Sequence, residues 1–135
     1  IQAAILIEKL KIFPAEIVAR DRVAKRYNEA LADVAVVPRV ASGNTSVWAQ
    51  YTIRLPEGRR DALAADLKAE GIPTTVYYPK PLHRQTAYRA YPVAGNGLPV
   101  SEKLSQEVIS LPMHAYLDEA TQDRIVQAVR NALSS

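Results

Sequence analysis

The chain has 135 residues, 48% hydrophobic and 23% charged, with 17 Lys and Arg against 14 Asp and Glu; this reads as one globular domain, long enough to bury its own core. The absence of cysteine excludes disulfides, thiolate metal sites and a cysteine nucleophile, and leaves the redox compartment undecided, with a reducing cytosol the easier default. No run approaches the roughly 20 apolar residues of a membrane helix, and a net charge of +3 scattered among acids argues against a nucleic-acid face.

The first third reads as helix. Leu6, Leu10, Phe13, Ile17, Ala24, Tyr27 and Leu31 recur at helical spacing and make one apolar stripe. Pro14 lacks an amide hydrogen and crowds the preceding turn, so a kink, or two helices meeting at Phe13-Pro14, is expected. A helix of this length (~50 Å at about 1.5 Å per residue) overhangs a small domain, so part of its stripe should lean on something else. The chain divides on this reading into the helix, residues 1–34, and a small α+β domain, residues 35–135.

Residues 34–38 are short and extended, and residues 41–46 are a loop by composition. Residues 47–55 alternate apolar and mixed faces and read as a strand. A second helix covers residues 60–70, with Leu63 and Leu67 one turn apart, Gly71 as a left-handed cap and Pro73 preventing continuation. The β-branched and aromatic residues 74–78 read as a further strand, completing a β-α-β unit. Residues 79–99 are a proline-rich loop with one helical turn around residues 85–91. Ser101 then caps a short helix carrying Leu104 and Val108, and residues 109–112 are extended. Asp118 or Thr121 starts the last helix, with Ile125, Val129 and Leu133 as its buried stripe. The fold class is α+β: a small, mainly antiparallel sheet with a β-α-β unit, covered by helices and preceded by a long helix.

Few residues advertise chemistry. His83 and His114 are 31 positions apart with no acidic or histidine partner at ligand spacing, so no zinc site is expected. No serine has a nucleophile-elbow pattern, and Gly95-Asn96-Gly97 is a turn, not a dinucleotide loop. One segment stands apart: residues 76–85 leave a strand end, are held by Pro79 and Pro81, and present Tyr77, Tyr78, Lys80, His83, Arg84 and Gln85. The plain alternative is an edge loop with satisfied hydrogen bonds. In Ser110-Leu111-Pro112-Met113-His114, Leu111 and Met113 read as core and His114 as a helix cap. Trp48 and Tyr51 also read as core, not as a ligand platform.

Gln2-Ala3-Ala4-Ile5-Leu6 with Lys9-Leu10, Arg22 and Tyr27 opens a pattern that continues in order through most of the chain. It runs through Trp48-Ala49-Gln50-Tyr51, Gly71-Ile72-Pro73-Thr74, Tyr78-Pro79-Lys80-Pro81-Leu82-His83, Leu98-Pro99-Val100-Ser101 and Ser110-Leu111-Pro112-Met113. This pattern resembles the DegT/DnrJ/EryC1/StrS sugar aminotransferases, and within them the C-terminal, small domain. The resemblance implies a fold-type-I aminotransferase, usually a homodimer, that binds pyridoxal phosphate (PLP) on a large N-terminal domain through a lysine Schiff base. It implies transfer of an amino group, with glutamate as donor, to a UDP- or dTDP-linked keto sugar for bacterial surface polysaccharide such as lipopolysaccharide. None of Lys9, Lys11, Lys25, Lys68, Lys80 and Lys103 has the context of the family's Schiff-base segment, which precedes the Gln-Ala-Ala-Ile-Leu helix. The chain is therefore expected to be the C-terminal part alone, with no catalytic residue, no bound PLP and no activity by itself.

The family likeness makes His83 the leading substrate-binding residue, hydrogen bonding to the sugar or the diphosphate. Arg84 and Lys80 add charge, and Tyr78 and Gln85 follow. Arg84 stands where relatives often carry an aromatic residue. Two alternatives accompany this reading: a PLP-dependent nucleotide-sugar dehydratase on the same scaffold, and a free-standing module that binds a ligand or protein.

Overall fold

The computed structural model describes residues 1–55 and 58–134. In chain order the elements are α1 (Gln2–Leu31), β1 (Tyr51–Arg54), α2 (Arg59–Ala69), a 3-10 turn (Leu82–Arg84), α3 (Pro99–Glu107), β2 (Val108–Leu111) and α4 (Glu119–Ser134). The fold is α+β, as the sequence pattern indicates.

The core gathers where apolar faces of different period meet. Val23, Ala24, Tyr27 and Leu31 of α1, Leu63 and Leu67 of α2, and Ile125, Val129 and Leu133 of α4 close over Tyr51, Ile53, Ile109 and Leu111 of the strands. Burying a side chain such as Leu63 or Leu67 contributes about 2 kcal/mol. Tyr27 and Tyr51 stack with ring centroids 4.7 Å apart. Each phenol is satisfied: Tyr27 donates to the Pro112 carbonyl at 3.0 Å and Tyr51 to Asn28 Oδ1 at 2.7 Å. Burial pushes both phenols above their ordinary titration range.

β1 and β2 pair antiparallel, with Tyr51 opposite Leu111 and Ile53 opposite Ile109. Single antiparallel bridges extend this pair, Val36 to Arg54 on one side and Thr75 to Ser110 on the other. The β-α-β unit is therefore split, because β2 lies between β1 and the Thr75 bridge. Polar groups pair as well: Thr52 Oγ1 meets Ser110 Oγ across the strands at 2.8 Å, and Arg54 donates at 2.9 Å to buried Glu107 at the end of α3. Arg60, also buried, donates to the Ser105 carbonyl at 3.1 Å and so ties α2 to α3.

Several boundaries differ from the sequence pattern. The first strand begins at Tyr51, not at residue 47, because Trp48 adopts a left-handed φ of 47° that no regular strand contains. That conformation is held from three directions: Ser46 Oγ accepts the Trp48 N–H, Asp21 accepts the indole N–H, and Arg20 donates to the Trp48 carbonyl. Residues 74–78 supply only the Thr75 bridge, since the flanking Pro73 and Pro79 cannot donate to a ladder. α1 is not divided at Pro14. The surrounding residues 10–15 are exposed, so water can meet the carbonyl that Pro14 leaves without an amide partner. Leu98, not Ser101, occupies the N-cap of α3, because Pro99 fits the first helical position. Val108 belongs to β2, not to that helix.

Other signals hold. Gly71, at φ 71°, ends α2 with paired bonds from Ile72 N–H to Leu67 and from Gly71 N–H to Lys68. Asp118 directly precedes α4 and accepts the Thr121 N–H at 2.8 Å and its hydroxyl at 2.7 Å. These bonds hold the Asp118 carboxyl below its ordinary range.

Candidate functional site

Beyond Thr75 the chain leaves the sheet edge. Pro79 and Pro81 fix φ along the exit, and the Arg84 N–H closes a tight turn on the Pro81 carbonyl at 3.0 Å. A second turn follows, with Tyr88 and Arg89 both donating to the Gln85 carbonyl. The segment folds back beside α3, and the two border an open cavity of about 890 Å³. Tyr77, Tyr78, Lys80, His83, Gln85, Tyr88 and Tyr91 line it from the loop, while Ser101, Leu104 and Ser105 line it from α3.

Four of the five sequence-predicted residues, Tyr78, Lys80, His83 and Gln85, thus face one space. Arg84 does not line it. Its guanidinium turns to Glu102 of α3, with Nε and Nη2 at 2.9 and 2.7 Å from Oε1. The same oxygen lies 2.9 Å from His83 Nε2. Hydrogen bonds from His83 and then Arg84 hold the Glu102 carboxyl below its ordinary range. Glu102 was not singled out by sequence reasoning. Neither were Tyr88 and Tyr91, whose rings lie 6.3 Å apart on the same wall. The Tyr77 and Tyr78 rings meet edge to face at 5.8 Å.

The cavity can grip a ligand that is part flat and part anionic. Phenol faces accept stacked rings or sugar faces, the imidazole and the Gln85 amide both donate and accept hydrogen bonds, and Lys80 offers a point charge to phosphate.

The second candidate segment divides. Leu111 is core and Met113 packs half-buried against it, lining a cleft of about 250 Å³ with Thr75 and Tyr77. His114 is exposed and its Nδ1 accepts the Tyr116 N–H at 3.2 Å, so it stabilises a turn ahead of α4 and caps no helix. Trp48 and Tyr51 are buried core residues, as the sequence indicated, although only Tyr51 lies in the strand.

All six lysines are exposed, and Lys11 and Lys25 are engaged by Glu8 and Asp21. The described lining of the large cavity includes no carboxylate to face a pyridine nitrogen. Among the described residues no three His, Asp or Glu side chains converge as metal ligands, and no helix is long and apolar enough to cross a membrane.

The fold of this chain is shared with solved aminotransferases. A DegT DnrJ EryC1 StrS aminotransferase from Brucella abortus superposes with a TM-score of 0.94 at 57% identity, covering 99% of this chain and 35% of that one. S. venezuelae DesV, solved in complex with a ketimine intermediate, gives 0.92 at 32% identity, covering 99% and 36%. The chain belongs to the DegT/DnrJ/EryC1/StrS aminotransferase family, whose sequence model matches residues 1–130. It is 44% identical over 132 residues to the Pseudomonas aeruginosa UDP-2-acetamido-2-deoxy-3-oxo-D-glucuronate aminotransferase, covering 97% of this chain and 35% of the relative. The chain thus spans about a third of the length of these relatives.

Proposed function

We propose that this chain is the C-terminal part of a PLP-dependent aminotransferase that transfers an amino group from glutamate to a nucleotide-linked keto sugar. Residues 35–135 form its small domain, and residues 1–34 form the helix that joins it to the cofactor-binding domain. The protein works as a cytoplasmic homodimer in surface polysaccharide synthesis. PLP is supplied by the remainder of the protein, and this chain contributes substrate recognition.

The observation that carries this reading is the convergence of Tyr78, Lys80, His83 and Gln85 on one aromatic-lined cavity. Its chemistry matches a nucleotide sugar: flat faces for base or pyranose, an ammonium for the diphosphate and a neutral hydrogen-bonding pair for hydroxyls. Relatives whose names specify UDP- and dTDP-sugar transamination support it. Arg84 acts on the site through Glu102.

The test is kinetic. In the full-length enzyme His83→Ala should raise the KM for the nucleotide sugar about tenfold, the upper range for losing one hydrogen bond. The glutamate half-reaction should keep its rate. Equal loss in both half-reactions would remove His83 from substrate recognition.

A further inference from the structure

We propose that Glu102 is a positioning residue that holds His83 with its proton on Nε2, leaving Nδ1 as the hydrogen-bond acceptor offered to the ligand. The proposal rests on the nucleotide-sugar reading of the cavity.

The geometry is a fork. Glu102 Oε1 receives Arg84 Nε and Nη2 at 2.9 and 2.7 Å and lies 2.9 Å from His83 Nε2. An ionised carboxylate only accepts, so the ring nitrogen facing it must carry the hydrogen. Arg84 enforces that state, because its two N–H groups on the same oxygen disfavour protonation there. The hold joins two elements that are 19 residues apart, the 3-10 turn and α3, so it fixes ring orientation as well as tautomer. The His83 side chain is only 13% exposed, which leaves little room for the ring to turn.

His83 Nδ1 has no hydrogen-bond partner among the described residues, while His83 itself lines the cavity. A neutral imidazole held in this way accepts at Nδ1. It therefore selects a ligand group that donates, such as a sugar hydroxyl or an amide N–H. An unprotonated diphosphate oxygen cannot donate and is left to Lys80. Glu102 thus decides which part of a nucleotide sugar His83 reads.

The chain contains two histidines, so ring 15N NMR resolves them readily. At alkaline pH, His83 should show a protonated Nε2 and an unprotonated Nδ1. Glu102→Gln should keep that pattern, since its amide oxygen still accepts. Glu102→Ala should give a mixture of tautomers. In the full-length enzyme, Glu102→Ala should raise the nucleotide-sugar KM about tenfold, leave the amino-donor half-reaction unchanged, and be largely rescued by Glu102→Gln. A wild-type ring protonated on Nδ1, or a ring unchanged by Glu102→Ala, overturns the proposal. Were Glu102→Ala not to fold, Glu102→Leu, which fills the same space without an acceptor, makes the same test: a tautomer mixture supports the proposal and an unchanged ring overturns it. If His83→Ala leaves the nucleotide-sugar KM unmoved, the substrate reading falls, and the NMR still judges the hold of Glu102 on the ring.

Discussion

The two halves of α1 carry similar apolar residues and have opposite fates. Val23, Ala24, Tyr27 and Leu31 are buried in the core, whereas Ile5, Leu6, Ile7, Leu10 and Phe13 are all exposed, Leu10 to 64%. The second half is also pinned by polar contacts. Arg130 donates to the Ala30 carbonyl and to Asp33, Gln122 donates to the Val23 carbonyl, and Asp21 receives the Trp48 indole. Among the described residues, positions 2–15 have one side-chain pair, Glu8 with Lys11, and that lies within the helix itself; the first bond to another element comes at Glu16, which accepts from the Tyr116 hydroxyl. Helical periodicity therefore reports a face that can be buried, and tertiary neighbours determine whether it is. An exposed apolar stripe of this extent is what a partner surface looks like before it is covered.

The sharpest contrast is in stability. Tyr27→Ala should cost about 4 kcal/mol, since it opens a cavity beneath the Tyr51 ring and leaves the Pro112 carbonyl without its donor. Leu10→Ala should cost about 0.5 kcal/mol or less. Urea unfolding of both variants checks this, and similar losses would mean that the first half is packed after all.

A smaller effect is expected on surface behaviour. Replacing Leu6 and Leu10 together by Lys should abolish most binding of an apolar dye and any self-association in sedimentation, with the unfolding midpoint almost unchanged. A large fall in that midpoint would show the stripe to be internal.

The smallest effect is on pH. Lys25 and the Trp48 indole hold the Asp21 carboxyl below its ordinary 3.8, and Arg130 does the same for Asp33. A depressed carboxylate contributes stability that is present above its unfolded value and is lost as pH falls through its folded value. Amide exchange in residues 20–33 should therefore quicken below about pH 4 relative to the intrinsic rate, while residues 2–15 should keep a constant, weak protection. Equal acid sensitivity in both halves would refute the anchoring role of these carboxylates.

What the sequence made legible was local. Gly71 and Pro73 ended α2 where they should, Asp118 placed the start of α4, and the Pro79 and Pro81 loop collected its polar side chains on one cavity. What it hid was tertiary. The left-handed Trp48 depends on Arg20, Asp21 and Ser46, and no strand propensity registers that. Glu102 looks like any first-turn acid of a short helix until α3 packs beside His83. Arg60 and Glu107 carry no sequence signal of burial, and they are buried because carbonyl and guanidinium partners meet them there. The stripe of α1 was visible in full, but its division into covered and uncovered halves lies in contacts beyond its own period.

Hydrogen exchange on the full-length enzyme, with and without saturating nucleotide sugar, locates the binding surface directly. Protection should appear in residues 77–91 and at the start of α3. Protection confined to other regions, with residues 77–91 unchanged, would contradict the assignment of this cavity to the nucleotide sugar.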